Sequence, residues 1–215
     1  MAKAKEWLIR TISGIVFLAV ILFCILYNKY TGWALFAVIG AGCFYEWFHL
    51  MRTTDFNRFF KNIFPFFYIG VPVGIACYLC YARPELLIFI FVLIWVNDIM
   101  AFVFGSLFGK HKFSRYSPSK TWEGTVGGII FSVAASVLLW HFFAEDYFLP
   151  FLLWWILFGI AVAAASVLGD LFESYIKRKA DVKDSGKIMP GHGGFLDRFD
   201  SFLFAVILAV IILLV

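Results

Sequence analysis

Charged residues are scarce: Asp, Glu, Lys and Arg supply 15% of the 215 residues, against 63% hydrophobic ones, and the mean hydropathy is +0.90. A chain this poor in charge cannot cover the surface of a water-soluble domain of its length, which excludes soluble enzymes and soluble binding modules. Cysteine is sparse too. Cys24, Cys43, Cys77 and Cys80 all fall in apolar stretches, so they read as small buried side chains, and the spacing of Cys77 and Cys80 carries no redox or metal role. No internal repeat, low-complexity tract or separate polar domain interrupts the sequence, so residues 1–215 read as a single integral membrane domain.

What is abundant is apolar sequence in pieces of span length. A helix needs roughly 20 predominantly apolar residues to cross the hydrocarbon, and seven segments qualify: 8–27, 33–50, 63–81, 86–108, 124–143, 148–172 and the short 201–215. The expected fold is an all-α, polytopic membrane helix bundle of about seven transmembrane helices. The first run is long and is followed by Asn28-Lys-Tyr-Thr31 with no small-residue cleavage site, which predicts a retained span rather than a signal peptide. The last is too short for the bilayer, so it must begin within 197–200 or pack obliquely.

Bases are distributed unevenly. Sixteen Lys and Arg fall in alternate connections and the N-terminus, against only Lys29 and Arg83 in the others, and 144–147 has acids without a base. Excess positive charge stays on the cytoplasmic side, which predicts a cytoplasmic N-terminus and places both long polar loops in the cytoplasm.

Those loops hold the chemistry. Between Asp170 and Asp200 stand six bases, six acids and His192, with apolar runs abutting both ends. Ionisable groups at membrane depth are costly and are kept for function. Asp170, Glu173 and Lys177 fall at i, i+3 and i+7, on one helix face, and Asp197 and Asp200 open the last span, where they can meet that face. Carboxylate oxygens in a cluster suit a hard cation such as Mg²⁺. His192-Gly-Gly194 gives a turn whose backbone can approach an anion, and Lys183, Lys187 and Arg198 offset phosphate charge. Acids and bases side by side suit phosphoryl or nucleotidyl transfer, in which positioning and charge neutralisation do most of the catalysis.

The other loop, 109–124, is basic and hydroxyl-rich: Ser117, Ser119, Lys120 and Thr121 precede a helix start that offers backbone N–H groups to phosphate. Ser117-Pro-Ser-Lys120 also fits the SxxK nucleophile pattern of penicillin-binding enzymes, but none of their other motifs is present. Asp98, after Asn97, sits mid-span and must meet a cation, a proton or a hydrogen-bonding partner. Glu46, with His49 and Arg52 one and two turns on, predicts an interfacial ion-pair network. Three small-residue pairs, Gly70 with Gly74, Gly105 with Gly109 and Gly124 with Gly128, predict close helix approach.

Residues 174–200 carry S-x-x-K-R, K-D, H-G-G and D-R-x-D at a spacing that resembles the signature of the phosphatidate cytidylyltransferases, or CDP-diacylglycerol synthases. Ser117-Pro-Ser-Lys-Thr-Trp-Glu-Gly124, Gly169-Asp-Leu-Phe-Glu173 and Asn97-Asp98 match as well, so the close likeness covers 97–200. The chain is shorter than the usual bacterial members, with fewer spans before Asp98. The resemblance implies an enzyme of the inner cell membrane, multi-pass and with its site facing the cytoplasm. It joins CTP to phosphatidic acid, giving CDP-diacylglycerol and pyrophosphate in phospholipid synthesis.

It further implies Mg²⁺ held by Asp170 and Asp197, with K⁺ associated with the same site. The catalytic set is then Asp170, Asp197, Lys177, Arg178, Lys183, Asp184, His192 and Arg198. The substrate-binding set is Asp98, Ser117, Ser119, Lys120, Thr121, Glu173, Ser174, Gly193, Gly194 and Asp200. Expected partners are CTP, phosphatidic acid and the bilayer, with a homodimer as the oligomeric option and no nucleic acid. A CTP-dependent polyprenol kinase or a CDP-archaeol synthase is the nearer alternative; a transporter is the alternative of another class, though it has no need of such a loop. The absence of a D-G-x-x-A-R run disfavours CDP-alcohol phosphotransferases.

Overall fold

The structure is a computed structural model that describes the backbone of residues 2–143, 151–186 and 193–214, with side chains from residue 14 to 212 within those segments. The fold is all-α and polytopic. Helices α1 (Ala2–Tyr27), α2 (Lys29–Met51), α3 (Arg58–Asn62), α4 (Val71–Ala82), α5 (Pro84–Phe108), α6 (Trp122–Phe143), α7 (Leu152–Lys179) and α8 (Leu196–Leu214) follow in order, with a π-helical turn at Phe66–Gly70 joining α3 to α4. Among the described residues, five helical segments are long and apolar enough to cross a membrane: α2, Arg58–Ala82, α5, α6 and α7. Helix α1 is apolar over Gly14–Tyr27. Helix α8 starts at Leu196 rather than at 201, which relieves the shortness of the last run by drawing Asp197 and Asp200 into its first turns.

The chain divides into two compact units. One comprises Met1–Ile88 with Ile176–Phe199, the other Phe89–Tyr175 with Asp200–Val215. In the first, a single residue joins α1 to α2: Asn28 Oδ1 accepts from the N–H groups of Tyr30 (2.8 Å) and Thr31 (3.0 Å), while the Thr31 hydroxyl accepts from Asn28 N–H, a reciprocal cap. Helix α2 packs on α1 and α4. At its far end the buried Trp47 lies against Phe60, Phe64 and Tyr68 and donates its indole N–H to the Lys61 carbonyl at 3.1 Å.

The second unit is built on small residues that let backbones meet. A Cβ at Gly124 would strike the Ala101 carbonyl of α5, and one at Gly128 would strike Asn97. Buried Ser132 donates toward the carbonyls of Leu93 and Gly159, and Ser136 donates to the Trp155 carbonyl at 2.6 Å, tying α6 to α5 and α7. Gly105 lies against Gly124 and Thr121, so the predicted approach holds for these pairs. It does not hold for Gly70 and Gly74: nothing lies within 4 Å of a Cβ at Gly74, and Gly70 has only ordinary clearance. None of the four cysteines forms a disulfide, and Cys80 packs against Gly32.

Candidate active site

The second unit gathers the first group of polar side chains. On α7, Asp170 and Glu173 stand one turn apart, and Asp200 of α8 joins them: one carboxylate oxygen from each lies within 4.8 Å of the others. The two helices come that close because Gly169 has no side chain; its Cβ would lie 2.9 Å from the Asp200 carbonyl carbon and 3.0 Å from Ser201 Cα. Glu173 and Asp200 are buried, at 1% and 7% exposure, while Asp170 keeps about a third of its side chain accessible. Ser174 Oγ donates to Asp170 Oδ1 at 3.3 Å, and Asp200 Oδ1 accepts from Ser201 N–H at 2.7 Å.

Lys120 reaches this cluster from the 109–121 connection, where its ammonium pairs with Asp170 Oδ2. Its loop is folded tightly enough to aim it. Lys120 N–H closes a turn on the Ser117 carbonyl, Phe113 N–H donates to the Lys120 carbonyl at 2.8 Å, and Lys112 bridges Thr121. Ser119 is exposed and Ser117 half-buried at the turn. The Thr121 hydroxyl accepts from Gly124 N–H at 3.1 Å, and the Glu123 carboxylate accepts from His111. Thr121 is thus the N-cap of α6, and its hydroxyl covers one of the N–H groups expected from the sequence to be open to phosphate. Asp98 accepts from Asn97 Nδ2 (3.2 Å) and Ser166 Oγ (3.3 Å) and lies within electrostatic reach of Lys120 and Asp170.

The first unit gathers the second group. Helix α7 ends in a Schellman turn: Val182 N–H donates to the Lys177 carbonyl, Asp181 N–H to that of Arg178, and Asp181 takes the left-handed conformation at φ 54°. Lys177 pairs with Asp197 at 2.7 Å, the two side chains only 13% and 7% exposed. The other Asp197 oxygen accepts from Ser185 N–H (2.9 Å) and Gly194 N–H (2.8 Å), and lies 3.0 Å from Ser185 Oγ, whose one proton it shares with Glu46. Gly193, at φ +82°, supplies the backbone bend that brings this amide round.

Arg178 donates to the Val182 carbonyl, and Arg198 is exposed. Lys183 and Asp184 are exposed and, with Tyr45, Glu46, His49, Leu50 and Ser185, line a cavity of about 780 Å³. His192 and Lys187 lie outside the described residues.

Glu46 departs from expectation. Its partners are neither His49 nor Arg52: the buried carboxylate accepts from Ser185 Oγ (2.8 Å), Phe195 N–H (3.0 Å) and Leu196 N–H (2.9 Å). His49 instead stacks on Tyr45. The physical reason is that α8 begins at Leu196, so its first amides need acceptors, and an acid inside a span needs donors. The only signal available in the sequence was an acid in the 33–50 run with no Lys or Arg within a turn on either side.

The sequence model of the cytidylyltransferase family matches residues 51–215. The chain is 33% identical over 215 residues to the phosphatidate cytidylyltransferase of Rickettsia felis, covering 94% of this chain and 91% of that protein. It is 32% identical over 206 residues to the phosphatidate cytidylyltransferase of Rickettsia conorii, covering 93% and 88%. Against that of Staphylococcus saprophyticus it is 44% identical over 147 residues, covering 66% of this chain and 55% of that protein. The chain belongs to the cytidylyltransferase family, whose members are nucleotidyltransferases. Its brevity beside the staphylococcal relative is shared with the rickettsial ones.

Proposed function

We propose that this membrane protein condenses CTP with phosphatidic acid, giving CDP-diacylglycerol and pyrophosphate, with the reaction at the cytoplasmic face of the inner membrane. The observation that carries the reading is the oxygen-only cluster of Asp170, Glu173 and Asp200 met by Lys120 from the other polar loop. Three carboxylates this close, two of them buried, repel one another unless a cation joins them, and their oxygens suit Mg²⁺. The donor set therefore fits the ion that the family resemblance implies, with K⁺ beside it. When bound, Mg²⁺ draws charge from the phosphate oxygens of CTP and steadies the departing pyrophosphate.

The side chains supply the remaining steps. Asp170 and Lys120 mark where the triphosphate is held, with Ser117 and Ser119 as donors at the loop tip, and Asp98 completes the polar wall. In the first unit Asp197, which the resemblance makes a metal ligand, is oriented by Lys177, Ser185 and Gly194. Lys177, Arg178, Lys183 and Arg198 lower the repulsion between two anionic reactants. A phosphatidate phosphate oxygen, already ionised and needing no strong base, attacks the α-phosphorus. A P–O bond forms there as the bond to the bridging oxygen of the β-phosphate breaks, and pyrophosphate carries off the electron pair.

Purified protein in detergent, given CTP labelled on the cytidine, phosphatidate and Mg²⁺, should yield labelled CDP-diacylglycerol and pyrophosphate in equal amounts. Chelation should stop the reaction and added Mg²⁺ should restore it. Formation of CDP with a phosphorylated isoprenoid alcohol in place of these products would overturn the reading in favour of a kinase.

A further inference from the structure

We infer that Glu46, on the second helix and outside the residues matched by the family model, is a positioning residue for the reaction: it clamps Ser185 to the start of α8 at Phe195 and Leu196 and, through Ser185, sets the carboxylate of Asp197. The inference rests on the reading that Asp197 serves the reacting phosphates. The bonds account for the role. Glu46 Oε2 takes Ser185 Oγ–H and Leu196 N–H, and Oε1 takes Phe195 N–H, so the carboxylate, which borders the cavity at only 1% exposure, is already committed to three donors. Ser185 turns its own N–H to Asp197, whose Oδ2 also takes Gly194 N–H. One acid thus ties Ser185 to the start of α8, and Ser185 in turn holds the second acid.

The glycines of the loop fit this clamp. A Cβ at Gly194 would run into Glu46 Oε2 and Ser185 Oγ, and one at Gly186 would run into Glu46 Oε1. Neither position has room for a side chain while the carboxylate is there. Because Phe195 and Leu196 open α8, the clamp also fixes where that helix starts, and with it the register of Asp197 and Arg198. A negative carboxylate at a helix N-terminus is electrostatically favourable as well.

The test compares Glu46→Gln, which keeps the shape but turns an amide NH2 toward donors, with Asp197→Asn and with a Gly186→Ala cycle. Glu46→Gln should lower kcat by about tenfold or more while KM for CTP and phosphatidate stays within about threefold. Amide hydrogen exchange should rise in the peptide containing Phe195 and Leu196 and stay unchanged along α2. Gly186→Ala, whose Cβ would strike only Glu46 atoms, should be similarly impaired on its own, yet cost less than about twofold in a Glu46→Ala background, where those atoms are gone.

Wild-type kcat in Glu46→Gln beside an inactive Asp197→Asn would overturn the clamp and leave the reaction assignment standing. Faster exchange throughout α2 would make Glu46 a fold residue and overturn it too, as would additive costs in the cycle. An active Asp197→Asn would remove the reading on which the clamp depends.

Discussion

Asp170 is held within the acidic cluster by bonds from Lys120 and Ser174, with Glu173 and Asp200 beside it. Asp170→Asn keeps the shape and removes one of the charges that hold a cation, so product formation should fall by at least about 100-fold with normal membrane insertion; a turnover assay on variant normalised for protein level checks this. Asp200→Asn should behave alike, and activity near wild type in both would exclude a cation site at this cluster. Lys120→Met loses a charge-assisted bond, and about tenfold or more should appear in kcat/KM for CTP.

Although the resemblance gives the metal role to Asp170 with Asp197 and makes Glu173 and Asp200 substrate-binding, a meeting of Asp200 with Asp170 and Glu173 was legible from helical spacing and an acid at the head of the last run. Glu46 was not: its partners lie 139 to 150 residues away in the chain, a distance that local pattern cannot bridge.

At the scale of elements, the crossing of α7 and α8 depends on Gly169, where any side chain would meet the backbone of Asp200. Gly169→Ala should therefore force the helices apart, separate the carboxylates and cut activity by more than tenfold. The same substitution at Gly74, where a Cβ has open space, should leave activity within about twofold; equal losses at the two positions would show that backbone approach is not what matters.

Apolar run length located the helices to within a few residues, because bilayer thickness fixes span length. The shortness of the last run calls for a start within 197–200 or oblique packing, and α8 begins at Leu196; what local sequence does not show is the Glu46 carboxylate that supplies acceptors for its first amides. Glycine spacing was a weaker guide, since a Cβ at Gly74 has open space and one at Gly70 only ordinary contact with Phe44 of α2.

Over the whole molecule, composition alone identifies a membrane protein, and the five long apolar helices agree. The sidedness we propose rests on bases, sixteen against two. In a background lacking the four cysteines, a membrane-impermeant maleimide added to intact cells should label Arg83→Cys at once and Ser114→Cys only after lysis. The reverse order would invert the topology and move the proposed chemistry away from the cytoplasmic CTP pool.

The one-residue joint at Asn28 has a mechanical corollary. With the cap drawn this tight, α1 and α2 behave as a hairpin spring whose closed end has no slack to lengthen or slide. Adjustment to thicker or thinner bilayers must then come from tilt at the open end, where Trp47 is wedged among the aromatic rings of the next span.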